Sequence, residues 1–228
     1  IPEVQFSDFV WPAVNQLIGE AARTCYGTNG ALNVPMVVRI PYGGGIRGGL
    51  FHSQNVEAMF FHTPGLKVIA PSTPYDAKGL LKSAIRDNNP VISLEHKKTY
   101  RLVRGEVPEG DYTLPIGQAD IKRSGGTITT VSYGLMLHYC LEAAEQISQE
   151  GIDVEVVDLR TLKPLDTKTI LESVRKTGRL LIVHEDNLTG GVGAEVAAVA
   201  AAEAFDYLDA PISRLCGPDV PTMPVSYT

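Results

Sequence analysis

Apolar positions along the chain fall into two kinds of stretch. Short runs dense in Val, Ile and Leu alternate with longer stretches in which apolar residues return every three or four positions, the pattern of βα units and a mainly parallel sheet. Two sets of such units follow one another. In the first, Met36-Val37-Val38-Arg39-Ile40, Leu66-Lys67-Val68-Ile69-Ala70 and Pro90-Val91-Ile92-Ser93-Leu94 predict strands. Ala77, Leu80, Leu81 and Ala84 sit at helical spacing and predict a helix over 76–86, opened by the capping sequence Ser72-Thr73-Pro74. A further helix is expected near 12–25, after Val4-Gln5-Phe6, with no strand ahead of it. Parallel strands need neighbours and cover on both faces, so the first unit is expected to lack its N-terminal portion.

The segment from Thr99 to Leu114, rich in charge, Gly and Pro, reads as an interdomain linker. Beyond it Thr127-Ile128-Thr129-Thr130-Val131, Val154-Glu155-Val156-Val157-Asp158, Leu180-Leu181-Ile182-Val183-His184 and Pro211-Ile212-Ser213-Arg214-Leu215 predict strands, separated by helices near 135–149, 167–176 and 192–205. Four strands alternating with three helices describe a complete small α/β domain. The expected division is 1–105 for the first domain, 106–118 for the linker and 119–228 for the second domain, a sensible partition of 228 residues.

Composition narrows the function classes. Apolar residues make up 44% and charged residues 20%, as in folded globular domains. Lys+Arg 20 against Asp+Glu 26 leaves a net charge of -6, which argues against nucleic acid as the partner. The Ala-rich stretch over 192–205 is broken by Glu195 and Glu203, and no window approaches the roughly 20 apolar residues of a membrane span. Cys25, Cys140 and Cys216 are widely spaced without a C-x-x-C, which argues against a disulfide framework and a zinc site and fits a reducing compartment. No targeting segment is read after Ile1, and the chain is expected to be processed or cut.

Candidate chemistry gathers around one loop. Tyr42-Gly43-Gly44-Gly45-Ile46-Arg47-Gly48-Gly49 follows a predicted strand, where a loop reaching a ligand at the carboxyl edge of a sheet would lie; a flexible turn is the plainer reading. Leu50-Phe51-His52-Ser53-Gln54 then brings an imidazole, a hydroxyl and an amide together, so His52 is either a proton-handling group or a helix-capping structural residue. His62 lies at a helix end, His96 in a basic cluster with Lys97 and Lys98, His138 within a helix, and His184 at a strand end before Glu185 and Asp186. Neither Ser53 nor Ser132 stands in a G-x-S-x-G elbow, so a hydrolase triad is unsupported. Asp87-Asn88-Asn89-Pro90 offers oxygen ligands in a tight turn that equally suits ordinary capping.

The sequence resembles the β chain of the thiamine diphosphate-dependent 2-oxo acid dehydrogenases, the E1 component of large multienzyme complexes. The resemblance is carried by Pro2-Glu3-Val4-Gln5-Phe6 with Asp8-Phe9, Arg39-Ile40-Pro41-Tyr42-Gly43, His52-Ser53-Gln54, Pro64-Gly65-Leu66-Lys67-Val68, Asp76-Ala77-Lys78-Gly79-Leu80, Asp87-Asn88-Asn89-Pro90, Asp158-Leu159-Arg160-Thr161, Lys176-Thr177-Gly178-Arg179 and Ala210-Pro211-Ile212-Ser213-Arg214. Glu95-His96-Lys97 with Tyr100-Arg101, His184-Glu185 with Leu188-Thr189-Gly190-Gly191, and Cys216-Gly217-Pro218-Asp219 look more like the branched-chain 2-oxo acid type than the pyruvate type, with a pyruvate or acetoin subunit as the rival reading within the enzyme class.

The fold so implied is the latter part of a transketolase-like pyrimidine-binding domain followed by a transketolase C-terminal-like α/β domain. The implied activity is oxidative decarboxylation of a small 2-oxo acid, with the acyl group passed to the lipoyl group of an E2 acyltransferase. The resemblance also implies an E1 α subunit in an α2β2 heterotetramer, the α chain holding Mg²⁺ and the diphosphate while the β chain covers the aminopyrimidine. The setting would be bacterial cytoplasm or mitochondrial matrix. By position His52 looks like the family's active-site histidine, Phe9 matches the aromatic residue beside the pyrimidine, and Gln5 lies close to it. A structural potassium site would map to Met36, Val37, Ala84, Asp87 and Asn89, largely through backbone carbonyls. The family's activating glutamate belongs to a segment upstream of Ile1, so the chain is expected to be a fragment or a nicked or partial subunit. A truncated, non-catalytic assembly module that binds the α subunit or E2 is the reading from another class.

Overall fold

The computed structural model describes residues 1–222. Its first half is built on a four-stranded sheet, in which Val37–Tyr42, Val91–His96, Lys67–Ile69 and Thr161–Lys163 lie side by side in that order. Strands β1 (Val37–Tyr42), β2 (Lys67–Ile69) and β3 (Val91–His96) are parallel, with Val37 and Lys67 both registered on Val91. All three are almost continuously apolar because both faces are covered. Ahead of β1, Glu3 forms an isolated parallel bridge with Arg39, tying the opening residues to the outer edge of the sheet. The helix expected near 12–25 is compound: α1 (Trp11–Val14) passes through a π-helical stretch, Asn15–Ala21, into α2 (Ala22–Gly27). The short α3 (Glu57–His62) precedes β2, and α4 (Pro74–Ile85) connects β2 to β3, its first turn capped by Thr73, which accepts from the Asp76 N–H.

The predicted linker is neither slack nor wholly irregular. It opens with α5 (Thr99–Leu102), and its later part lies along α4. There Tyr112 stacks on Tyr75 with centroids 4.8 Å apart, Leu114 N–H donates to Gly79 O at 3.2 Å, and Lys78 donates to Gly110 O at 3.0 Å.

The second half has a sheet of order β4-β6-β5-β8-β9. Strands β5 (Ile128–Ser132), β6 (Val154–Asp158), β8 (Leu180–Asn187) and β9 (Ser213–Gly217) are parallel to their neighbours, and β4 (Asp120–Arg123) closes one edge antiparallel to β6. Helices α6 (Leu135–Ser148), α7 (Thr167–Thr177) and α8 (Val192–Glu203) cover its faces. One strand leaves this half. β7 (Thr161–Lys163) pairs antiparallel with β2, Val68 opposite Lys163 and Ile69 opposite Thr161, and so completes the first sheet.

The two halves therefore share a core. Ile40, Val68 and Leu94 from the first half pack in one apolar cluster with Val131, Val157 and Leu162 from the second. Full burial of aliphatic side chains of this size contributes about 1.5–3 kcal/mol each. A polar seam runs beside it. Arg160, whose backbone sits at φ 53, reaches Asp76 Oδ1 at 3.3 Å and the carbonyls of Gln118 and Ala119. Ser72 donates to Asp158 Oδ1 at 2.8 Å, while Asp158 Oδ2 is buried without a partner among the described residues. Burial, reinforced by the charge of Asp76, pushes the Asp158 carboxyl up to about 7, against the pull of Ser72 and Lys122.

Candidate active site

At the carboxyl end of β1 the chain turns through glycines with positive φ, Gly43 at 83°, Gly45 at 77° and Gly49 at 76°, into a single 3-10 turn, Leu50–His52. A Cβ on Gly43 would lie 2.2 Å from His96 Nε2, so both the backbone angle and the close approach require glycine there. The loop delivers His52 into an aromatic slot. Phe6 and Phe9 meet its ring T-shaped, at centroid distances of 5.5 and 5.4 Å. Phe9 ends a 3-10 turn, Ser7–Phe9, and remains 49% exposed, leaving one wall of the slot open.

Gln54 locks these segments together. Its carbonyl accepts from Ser7 Oγ at 2.7 Å and from Gly43 N–H at 3.2 Å, its N–H donates to Asp8 Oδ1 at 3.3 Å, and its side-chain amide donates to Leu50 O at 2.7 Å. Its Oε1 accepts from Thr222 N–H at 3.2 Å. The structure thus brings His52 and Phe9 together. Gln5 is exposed and donates to Glu3 Oε1 at 2.9 Å, outside this slot.

Beneath the loop lies a layer of polar groups drawn from both halves. Glu185 accepts from Gly44 N–H at 2.7 Å through Oε1 and meets His96 Nε2 through Oε2. Lys98 N–H donates to His96 Nδ1 at 3.2 Å, so the ring proton stands on Nε2, facing the carboxylate. Burial alone would push Glu185 up; the His96 hydrogen bond, with Gly44 and Lys97, outweighs it and leaves the carboxyl below its ordinary range. Glu57 and Asp186 have the opposite balance. Burial, and the negative charge of neighbouring carboxylates, raise both. Asp186 nevertheless accepts from Ala58 N–H at 3.3 Å, so the second half caps the first turn of α3.

His184 stacks on Tyr133 at 6.0 Å, and its Nε2 lies 3.2 Å from Cys216 Sγ. Burial lowers the imidazole to about 4 and raises the thiol. Both shifts run against the thiolate that nucleophilic cysteine chemistry needs.

The five carbonyl-site residues come to one place, the amino-terminal edge of β1 and β3. Met36 O accepts from Val91 N–H at 2.8 Å and Ala84 O from Asp87 N–H at 3.2 Å, each keeping a second lone pair, and Val37 opens β1 opposite Val91. The Asp87 carboxylate is taken by Lys67 and by Asn89 N–H at 2.8 Å. A cation held here would rest on backbone oxygens, a donor set suited to a hard ion. Among the described residues no group of three or more His, Cys, Asp or Glu side chains could hold a metal, and no helix is long and apolar enough to cross a membrane.

Sequence reasoning singled out His52 but passed over Phe6, the other wall of its slot. It also placed His96 in a basic cluster, although its partner is an acid 89 residues away. The π-face of Phe6 is also covered by Lys97 Nζ, 4.7 Å from the ring centroid.

A glycine-rich loop at the carboxyl end of a parallel sheet, packed against a second α/β unit, is consistent with the transketolase class, and the family comparisons show that class. Residues 1–103 match the family Transketolase, pyrimidine binding domain, and residues 117–228 the family Transketolase, C-terminal domain. A solved split-gene transketolase, an inactive β4 tetramer, superposes with a TM-score of 0.76 at 25% identity, over 96% of this chain and 66% of that one. The 2-oxoisovalerate dehydrogenase subunit β of Bacillus subtilis is 55% identical over 100% of this chain and 70% of its own length. The pyruvate dehydrogenase E1 subunit β of the same organism is 46% identical over 96% of this chain and 67% of its own length. An acetoin oxidoreductase subunit β of Cupriavidus necator is 48% identical over 97% and 65%. The chain belongs to the β subunits of the thiamine diphosphate-dependent 2-oxo acid dehydrogenases and their relatives.

Proposed function

We propose that the protein serves as the β subunit of an E1 enzyme that oxidatively decarboxylates branched-chain 2-oxo acids and transfers the acyl group to a lipoyl-bearing E2, in an α2β2 heterotetramer with an E1 α subunit. The observation that carries this reading is the similarity over the whole chain to the 2-oxoisovalerate subunit, at 55%, against 46% and 48% for the pyruvate and acetoin subunits. The bacterial origin of these relatives supports a cytoplasmic setting over a mitochondrial one.

The site's donor set suits its proposed work. Phe9 and Phe6 offer aromatic surface for a flat heterocycle, while His52 stands between the rings as the group that orients substrate and moves a proton during acyl transfer; Gln5, outside the slot, would have to turn inward to reach the cofactor. Thiamine diphosphate, with Mg²⁺ held largely by the α chain, would supply a thiazolium that takes up the electron pair released with carbon dioxide. Structural potassium at Met36, Val37, Ala84, Asp87 and Asn89 would fasten the end of α4 to the start of β1, with no part in the chemistry.

Reconstitution with the cognate α chain tests the reading. Turnover of 2-oxoisovalerate should exceed that of pyruvate by at least tenfold in kcat/KM. A strong preference for pyruvate would overturn the substrate assignment in favour of the second reading, a pyruvate or acetoin subunit.

A further inference from the structure

Lys97 stands directly after β3, at the carboxyl edge of the first sheet. It is only 5% exposed, and its ammonium is buried with no hydrogen-bond acceptor among the described residues. The nearby carboxylates are committed elsewhere: Asp8 accepts from Gln54 N–H, and Glu185 holds His96 and Gly44. Both act on Lys97 only at a distance, partly offsetting a burial that lowers its pKa. What the ammonium does touch is the face of Phe6, 4.7 Å from the ring centroid, and the same ring meets His52. A buried cation without an acceptor is unfavourable, and an arriving anion removes that penalty.

We propose that Lys97 binds the carboxylate of the 2-oxo acid substrate, with Phe6 as the shared wall that sets the carboxylate-binding ammonium and the His52 imidazole on one reacting molecule. The inference rests on the reading of the protein as a 2-oxo acid decarboxylating subunit. A monoanion on a small apolar body suits one ammonium beside aromatic rings. A phosphate, with its greater charge, would be repelled by Asp8 and Glu185. As neutral carbon dioxide departs, the carboxylate's electron pair would pass to the thiazolium and the charge that Lys97 holds is lost, so this contact strengthens binding of the ground state more than it speeds the reaction, and its loss falls on KM.

The test uses the assembled complex with its α subunit, thiamine diphosphate and an artificial electron acceptor, comparing Lys97→Met and Lys97→Arg with the parent. Lys97→Met should raise KM for 2-oxoisovalerate at least tenfold with kcat within about twofold, whereas Lys97→Arg, which keeps the charge, should retain most of the affinity. Oxidation of 2-methylpropanal, the same carbon skeleton without the carboxylate, should lose far less. A second readout needs no turnover. With an unreactive analogue of the coenzyme bound, 2-oxoisovalerate should raise the melting temperature of the parent complex and not that of Lys97→Met. Lys97→Met itself should melt no lower than the parent when substrate is absent, since it removes an unpaired buried charge.

An unchanged KM, equal losses for acid and aldehyde, a Lys97→Met chain that does not fold, or a Lys97-dependent stabilisation by inorganic diphosphate instead of the oxo acid would each overturn the assignment. A parent complex that turns over no 2-oxo acid would strike the underlying reading, and this inference with it. An active parent whose Lys97→Met behaves identically would strike the inference alone.

Discussion

His52 owes its setting to residues on both sides of it in the chain: Phe6 and Phe9 wall the ring, and Gln54 pins the turns that carry them. The imidazole is half-buried and, among the described residues, supports no other side chain through a hydrogen bond. In the full complex His52→Ala should therefore reduce lipoyl acylation by about 10²–10⁴-fold, the usual worth of a positioned acid–base group, while shifting unfolding free energy by less than about 1 kcal/mol. Acylation at the parent rate would remove His52 from the mechanism. At this scale the sequence was partly legible. His52-Ser53-Gln54 stands out because it follows a run of glycines. Lys97 does not, because His96-Lys97-Lys98 reads as a solvated basic cluster, whereas in the fold Phe6, from 91 positions earlier, packs on the ammonium.

Elements with strong apolar periodicity were visible in advance, their ends shifted by a few residues. β6 coincides with the expected 154–158, and β8 runs on past the expected His184 to Asn187. The antiparallel strands β4 and β7 were not expected. Asp120–Arg123 is polar and Thr161–Lys163 is short, and each exists because a partner edge lies ready far away in sequence. Local capping was readable in principle at α7, where Asp166 accepts from Thr169 N–H at 3.1 Å and also from Ala119 N–H at 2.9 Å. Asp166→Ala should cost about 1–2 kcal/mol in denaturant unfolding, more than an isolated cap because it also frees Ala119. Burial pushes the Asp166 carboxyl up, but the Thr169 and Ala119 bonds prevail and hold it below the ordinary 3.8. The stabilisation is thus complete above that value and fades as pH falls through the depressed one, so the gap between parent and variant should narrow in strong acid. A gap that widens there would contradict the assignment.

Over the whole molecule, the alternation of strands and helices foretold two α/β units but not how tightly they are joined, since burial at a seam depends on side chains far apart in the chain. Asp158, buried in that seam, carries its electrostatic penalty. Its carboxyl, raised to about 7, favours the folded state most when protonated; this contribution is full below 3.8 and is lost as pH climbs through about 7. Asp158→Asn keeps an oxygen for Ser72 and Arg160 N–H without carrying a charge. Relative to the parent it should gain on the order of a few kcal/mol between pH 5 and pH 8. Thermal melts at several pH values would show this, and a difference independent of pH would refute it.

The pairing of β7 with β2 also bears on any attempt to divide the protein. A first half prepared by itself would carry an open ladder of amide and carbonyl groups along Lys67–Ile69, where Thr161–Lys163 belongs. Bare β-edges recruit further strands, so such a half should self-associate, and a synthetic peptide spanning 159–165 should hold it monomeric by occupying the vacant lane.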